Sequence, residues 1–227
     1  LLEVKQRAIE NCAEYNIGVT LVPTLVPGIN THNIGDTIRF AVSRSPAVRG
    51  VHFQPVSYFG RIPELPEDDM RFTLDDLLIS IKDQADGLIK LENIIPSRCD
   101  HPLCGFHSSF VVMPDGLMPL SHRERAGEGC CIPTTAEQNR AFISRRWQRQ
   151  PQNQDGVSCC CSKEPDINSM EYFLQRVKTN GFTVTAMAFQ DAGNIDLERL
   201  RRCSLHVFDK NKFVPFCSYY LSRWQYQ

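Results

Sequence analysis

The sequence predicts an α/β fold with parallel strands in its first part and a smaller α+β module that carries cysteines in its second. Two observations support this. Helical and strand patterns alternate at short spacing up to about residue 95, and cysteines paired within loops follow after that point. We therefore predict two domains, residues 1–95 and residues 96–227.

The first part alternates between amphipathic helices and strands rich in β-branched residues. The patterns run in chain order as a helix over 1–15, a strand over 19–25, a helix over 33–42 and a strand over 51–56. This alternation is typical of a parallel sheet or barrel, in which ligands bind at the carboxyl ends of the strands. A ligand site is therefore expected around residues 24–30 and 54–61.

A capping-box pattern at Thr73 predicts a helix that runs to about residue 85, and the second part begins after this helix. Its predicted elements are a strand over 109–112, a helix over 169–180, a strand over 182–189 and a short helix over 195–202. A polar stretch near 148–166 is predicted to be an irregular insertion.

Composition excludes some classes of function. Twenty-five Lys and Arg residues against 26 Asp and Glu give a net charge of −1, so no strong field attracts nucleic acid. No run approaches the roughly 18 apolar residues of a transmembrane helix. The chain opens at Leu1 within a helical pattern and shows no signal peptide, so we expect a fragment of a cytoplasmic protein.

Ten cysteines are many for a chain of 227 residues, and they indicate either disulfides or metal ligands. The absence of a signal peptide favours metal. Cys99 and Cys104 flank a proline-containing loop, and Cys203 and Cys217 lie on either side of a turn. Four thiolates from two such pairs suit a tetrahedral metal or a cubane iron–sulfur cluster, although free buried cysteines are also common.

Two histidines lie close to these cysteines in the sequence. His101 and His206 are candidates for ligands or for hydrogen-bond donors to a cluster, but they would equally well stabilise the local backbone of their loops. The sequence leaves both interpretations open.

Several segments together resemble radical S-adenosylmethionine (SAM) enzymes of the tetraether lipid synthase-like branch. They are VTLVPTLVPGIN at 19–30, HNIG at 32–35, VRGVHFQPV at 48–56, CDHPLC at 99–104, RCSLH at 202–206 and PFCSY at 215–219. Their order and spacing carry the resemblance, which extends over nearly the whole chain apart from residues 148–166.

The resemblance implies a partial (β/α)6 barrel similar to a TIM barrel, of which this chain holds the fifth and sixth strands. In such enzymes a 4Fe–4S cluster on a Cys-x3-Cys-x2-Cys motif cleaves SAM, and the radical formed abstracts hydrogen from an unactivated carbon. An electron donor such as ferredoxin or flavodoxin and a small-molecule or lipid-like substrate are implied. No three cysteines of this chain have that spacing, so the chain alone is expected to be inactive.

The resemblance also implies residue roles. The residues expected to border SAM or the barrel lumen are Thr24, Leu25, Gly28, Asn30 and Gln54. The expected ligands of an auxiliary iron–sulfur cluster are Cys99, Cys104, Cys203 and Cys217. At the first site, the alternative is a buried strand with a tight turn. For the cysteines, the alternatives are a non-enzymatic structural module that binds zinc or an iron–sulfur cluster, and a disulfide-stapled secreted domain.

Overall fold

The computed structural model describes residues 2–59, 66–97, 100–120 and 169–222. The helices are α1 (Leu2–Glu14), α2 (Ile34–Ser43), α3 (Leu74–Gln84), α4 (Met170–Thr179), α5 (Leu197–Arg201) and α6 (Phe216–Ser222). The strands are β1 (Val19–Leu21), β2 (Thr24–Leu25), β3 (Val48–Pro55), β4 (Ile95–Pro96), β5 (Gly105–Met113), β6 (Gly116–Pro119), β7 (Gly181–Met187), β8 (His206–Asp209) and β9 (Lys212–Pro215). Cys99 and the predicted insertion lie outside the described residues.

Seven of these strands form one mixed sheet in the described part of the chain. β1 and β2 pair with β3 in parallel, and β7 lies parallel on the other side of β3. β5 pairs with β7 in antiparallel orientation and carries β4 and β6. The predicted α/β fold with parallel strands is confirmed, whereas the barrel remains a prediction.

The sheet takes strands from both sides of the predicted boundary near residue 95. β7, from the second part, lies directly between β3 of the first part and β5. β8 and β9 form a separate hairpin. The division into two domains remains a prediction, and the two parts share at least this sheet.

The predicted first strand is divided into β1 and β2. Pro23 lies between them and has no N–H to donate to a ladder, although its carbonyl oxygen accepts a hydrogen bond from the Gln54 N–H at 3.1 Å. Both short strands still pair with β3, so the chain keeps its direction across the interruption.

The hydrophobic core lies between α2, α3 and one face of the sheet. The core side chains of β3 lie beside those of the paired residues in β7. The helices contribute Ile34, Ile38, Leu77 and Ile81. α3 begins at the predicted capping box, in which Thr73 accepts a hydrogen bond from the Asp76 N–H. None of the described helices is long and apolar enough to cross a membrane.

Candidate functional site

The predicted SAM-adjacent residues lie where β2 and β3 end side by side. Thr24 pairs with Gln54, and Leu25 pairs with Pro55, in parallel register. The Val56 N–H donates to the Leu25 carbonyl oxygen at 2.9 Å, so the pairing continues past the end of β3. The structure therefore brings Thr24 and Gln54, which are 30 positions apart in the sequence, to the same edge of the sheet.

Asn30 fixes the loop that follows β2. Its side-chain oxygen accepts from the Val26 N–H, and its side-chain nitrogen donates to the Thr24 carbonyl oxygen, both at 2.8 Å. Gly28 lies at the tip with φ +71°, a left-handed conformation that favours glycine. A Cβ on Gly28 would meet no described atom within 4 Å, so the backbone conformation is the visible reason for a glycine there.

The three strand residues of this site point to different surroundings. Thr24 is exposed, Gln54 is half-buried, and Leu25 is buried in the hydrophobic core. Thr24 and Gln54 are therefore the members of the set whose side chains are accessible in the described part of the chain. A contact of Leu25 with a cofactor remains a prediction.

Three of the four predicted cluster ligands line one cavity. Cys104 precedes β5, Cys203 follows α5, and Cys217 lies in α6. All three border the same cavity, together with Gln190 and Arg199. The resemblance implies that these cysteines act together, although up to 113 positions of the sequence separate them (217 − 104).

Two N–H groups contact the sulfur atoms in this cavity. The Arg199 Nε–H donates to the Cys104 Sγ at 3.4 Å, and the Gln190 backbone N–H donates to the Cys217 Sγ at 3.3 Å. Arg199 is itself held by a hydrogen bond from its guanidinium to the Ala188 carbonyl oxygen at 2.6 Å. N–H donors directed at sulfur stabilise thiolates and tune iron–sulfur clusters.

Burial raises the pKa of the Cys217 thiol. The Gln190 N–H and the Arg199 charge act in the opposite direction, while the neighbouring Cys203 and Cys104 add to the increase.

Asp100, which follows Cys99 in the sequence, is hydrogen-bonded to the loop that holds Cys203. The Ser204 N–H donates to the Asp100 carboxylate at 2.6 Å, and the Arg202 guanidinium donates to the Asp100 carbonyl oxygen at 3.4 Å. Asp100 lines the cysteine cavity as well. Cys99 itself lies outside the described residues, but its neighbour in the chain is at the cavity.

His101 and His206 make local contacts with the backbone. The His101 Nδ1 accepts from the Leu103 N–H at 3.3 Å, and the His206 Nδ1 lies 3.2 Å from the Ser204 carbonyl oxygen. These contacts fit the interpretation that both histidines stabilise their loops.

Both groups of predicted residues lie along one edge of the sheet. β7 is parallel to β3, so the carboxyl ends of both strands reach the same edge. β5 is antiparallel, and its first residue, Gly105, pairs with Met187 at the end of β7. With about 4.8 Å between strands, Cys104 and the end of β3 are roughly 10 Å apart across the sheet.

An ion pair that sequence reasoning missed stabilises this edge. Asp191, which is 2% exposed, accepts from the Arg71 guanidinium at 3.0 and 3.1 Å and from the N–H groups of Tyr58 and Gly193. Burial alone would raise the pKa of Asp191, but these hydrogen bonds outweigh burial and lower it. Because Asp191 follows Gln190, this ion pair also anchors the wall of the cysteine cavity.

The chain is similar to the 7,8-dihydro-6-hydroxymethylpterin dimethyltransferase of Methanocaldococcus jannaschii. The two are 27% identical over 264 aligned positions, which cover 96% of this chain and 51% of that enzyme. This chain therefore spans about half the length of the curated relative that it matches. A comparison with protein-family models found no match.

Two further observations concern the cysteines of the described residues. Cys12, Cys104, Cys203 and Cys217 are free thiols. Within the described ranges, no three His, Cys, Asp or Glu side chains form a group that could hold a single metal ion. A cubane cluster has a different requirement, because each thiolate binds a separate iron.

Proposed function

We propose that this chain is part of a radical SAM enzyme and supplies the carboxyl edge of its sheet and an auxiliary iron–sulfur site. The observation that carries the proposal is the convergence of Cys104, Cys203 and Cys217 on one cavity. This cavity lies at the edge of the sheet where β3 ends beside β2, near Thr24 and Gln54. The similarity to an enzyme over 96% of the chain supports an enzymatic role over a purely structural module.

At the first site, Thr24, Gln54 and the loop around Gly28 would border SAM, which would supply radical chemistry at an unactivated carbon when bound together with a 4Fe–4S cluster. The residues of this chain orient the cofactor. Asn30 holds the loop around Gly28 in a fixed shape through its two 2.8 Å hydrogen bonds, and Thr24 and Gln54 present polar side chains beside it. A loop held in this way loses little conformational entropy when a ligand binds.

At the second site, Cys99, Cys104, Cys203 and Cys217 bind the auxiliary cluster. The donor set fits the group, since four thiolates are the usual ligands of a cubane cluster and the Arg199 and Gln190 N–H groups already point at two of the sulfurs. Cys99 is the proposed fourth ligand because Asp100, its neighbour, lines the cavity. The cluster would relay electrons or hold a substrate group.

Two substrate classes follow from the two resemblances. The tetraether-synthase-like motifs suggest a lipid-like chain, whereas the similarity to the pterin dimethyltransferase suggests a pterin. We favour the pterin, because the described edge and the sheet face beside it carry polar side chains such as Thr24, Gln54 and His52. A lipid tail would require an apolar channel at that place.

Iron and acid-labile sulfide per chain, measured after anaerobic reconstitution, test the proposal. We expect about four irons and four sulfides in the wild type and loss of both in Cys104→Ala, Cys203→Ala and Cys217→Ala. Cys12→Ala is the matched control, because Cys12 is a free thiol of α1 that does not line the cavity, and it should keep full occupancy.

Zinc in place of iron would support a non-enzymatic structural module instead. No bound metal, or iron that Cys217→Ala retains in full, would contradict the cluster. Iron and sulfide content of the Cys99→Ala variant, measured in the same way, then shows whether Cys99 is the fourth ligand.

A further inference from the structure

The face of the sheet opposite the core carries a row of polar residues. His52 of β3, Thr185 of β7 and His107 of β5 are direct neighbours across the three strands. Paired residues of adjacent strands point to the same face, so these three side chains form one row. The adjacent residues of the same three strands, Phe53, Ala186 and Phe106, are apolar and point to the opposite face, where the core lies.

This row lines a cavity of about 280 Å³. The cavity adjoins the cysteine cavity, because Asp100, Cys104 and Met187 line both. Its volume lies just below the range of pockets that hold drug-sized ligands, so it suits a small molecule or one end of a larger one. No lysine or arginine is among the described lining residues, and Asp100 already accepts from the Ser204 N–H.

Two contacts of the Thr185 hydroxyl bear on the tautomer of the His52 ring. The Thr185 hydroxyl lies 2.8 Å from the His52 Nδ1 and 3.5 Å from the Val51 carbonyl oxygen. A hydroxyl has one proton, and the carbonyl can only accept. If the Thr185 hydroxyl donates its proton to the Val51 carbonyl oxygen, it can only accept from the His52 ring. The His52 Nδ1 is then the protonated nitrogen, and in the neutral ring Nε2 is a hydrogen-bond acceptor.

The Nε2 atom of His52 has no hydrogen-bond partner among the residues that the structure describes. Burial lowers the pKa of His52, which favours the neutral ring near pH 7. A half-buried, neutral imidazole with an unused acceptor in a cavity is suited to accept a hydrogen bond from a bound molecule.

We propose that this cavity binds an uncharged small molecule through an N–H or O–H group that donates to the His52 Nε2, with Thr185 holding the ring in the required tautomer. The choice of ligand rests on the proposed function, since a neutral pterin has ring N–H, amino and hydroxymethyl donors. The binding would place such a ligand beside Cys104, at the wall that the two cavities share. His52 is a binding residue here and Thr185 a positioning residue.

The first test reads the tautomer directly in the full chain. Ring ¹⁵N chemical shifts of His52, assigned by comparison with His52→Leu, are expected to show a protonated Nδ1 and an unprotonated Nε2. In Thr185→Val the preference should weaken, whereas Thr183→Val is the matched control. Thr183 lies on the same strand and the same face but does not line the cavity.

The second test measures binding of 6-hydroxymethyl-7,8-dihydropterin by anaerobic equilibrium dialysis. We expect His52→Leu to weaken binding by roughly 3- to 10-fold, the effect of one hydrogen bond between neutral groups. Thr185→Val should weaken it less, and Thr183→Val should leave it unchanged. Iron and sulfide are measured on the same samples.

These measurements separate the two proposals. A protonated Nε2 in the wild type, or equal affinity of wild type and His52→Leu, would overturn the inference even if the cluster is present. A cluster-loaded chain that does not bind the pterin would overturn it as well. Binding that depends on His52 in a chain without iron and sulfide would support the cavity and contradict the auxiliary cluster.

Discussion

Replacing Asp191 with asparagine tests the ion pair that we expect to stabilise the carboxyl edge. The Asp191 side chain is 2% exposed and that of Arg71 is 19% exposed, and two hydrogen bonds of 3.0 and 3.1 Å join them. In Asp191→Asn the shape is kept, but an amide N–H₂ or a neutral oxygen faces the guanidinium. Removing one partner of a buried pair costs about 3–5 kcal/mol because the other charge stays buried.

The lower end of this range applies here. Arg71 keeps some access to solvent, so part of its charge can be hydrated after the carboxylate is lost. We therefore expect the free energy of unfolding to fall by about 3 kcal/mol. With a urea m-value of about 2–3 kcal/mol/M, this corresponds to a midpoint lower by about 1–1.5 M.

Asp36→Asn is the matched control for this measurement. It removes a carboxylate that lies 2.8 Å from Arg39, but the two side chains are 71% and 43% exposed. A surface pair of this kind contributes about 0–1 kcal/mol. Both variants are unfolded in urea at the same metal content, and equal midpoints for the two would refute the assignment of the stabilisation to the buried pair.

The same pair predicts a pH dependence whose sign is fixed. The pKa of Asp191 is lowered in the folded chain, so its stabilisation is fully present above the ordinary value of 3.8 and is lost as the pH falls through the folded value. The difference in unfolding free energy between wild type and Asp191→Asn should therefore narrow in acid below about pH 4. A difference that grows in acid would contradict the lowered pKa.

Two further predictions concern the packing of the helices. In urea unfolding, Gly35→Ala should destabilise the chain by about 2–3 kcal/mol, because a Cβ at this position would overlap the Gln84 carbonyl oxygen. Gly181→Ala is the control. Its Cβ would meet its nearest atom at 3.6 Å, so its stability should stay within about 0.5 kcal/mol of wild type. Thr73→Ala should lower the free energy of unfolding by about 1 kcal/mol by removing the cap of α3, and Thr37→Ala, at a half-buried threonine within α2, should lower it less in the same urea unfolding assay. Equal losses within either pair would contradict these assignments.

Most of the longer helices and strands were predictable from the sequence because each has a local pattern, whereas the short elements β4, β6, β8, β9 and α6 were not predicted. The Thr73 capping box and the alternation in β7 are examples, and both elements lie within about two residues of their predicted bounds. The interruption of the first strand was missed, because its apolar run continues through Pro23 while the backbone ladder does not. The hydrophobic pattern predicts which residues are buried, whereas the hydrogen bonds between strands also require a backbone N–H, which proline lacks.

The arrangement of the site was much less predictable. The insertion of β7 between β3 and β5 is a pairing of distant segments, and no local pattern encodes which strands become neighbours. The Arg71–Asp191 pair joins residues 120 positions apart, and each residue alone resembles an ordinary surface charge. The cysteines could be selected as one set from their loop pairs and the resemblance, but the strand order that brings Cys104 and Cys217 to one cavity has no signature in the sequence.

The strand order also brings the two predicted sites close together. Had β7 been placed at the outer edge of the sheet, the loop with Gln190 and Asp191 would not lie beside the end of β3. In the observed order, the Ser57 hydroxyl donates to the Phe189 carbonyl oxygen at 2.9 Å, and the Tyr58 N–H donates to Asp191 at 3.0 Å. The chain that leaves β3 and the chain that forms the cysteine cavity are thus held together directly. We therefore expect that a change in the chain after β3 also shifts the wall of the cysteine cavity, as a reaction that uses both predicted sites would require.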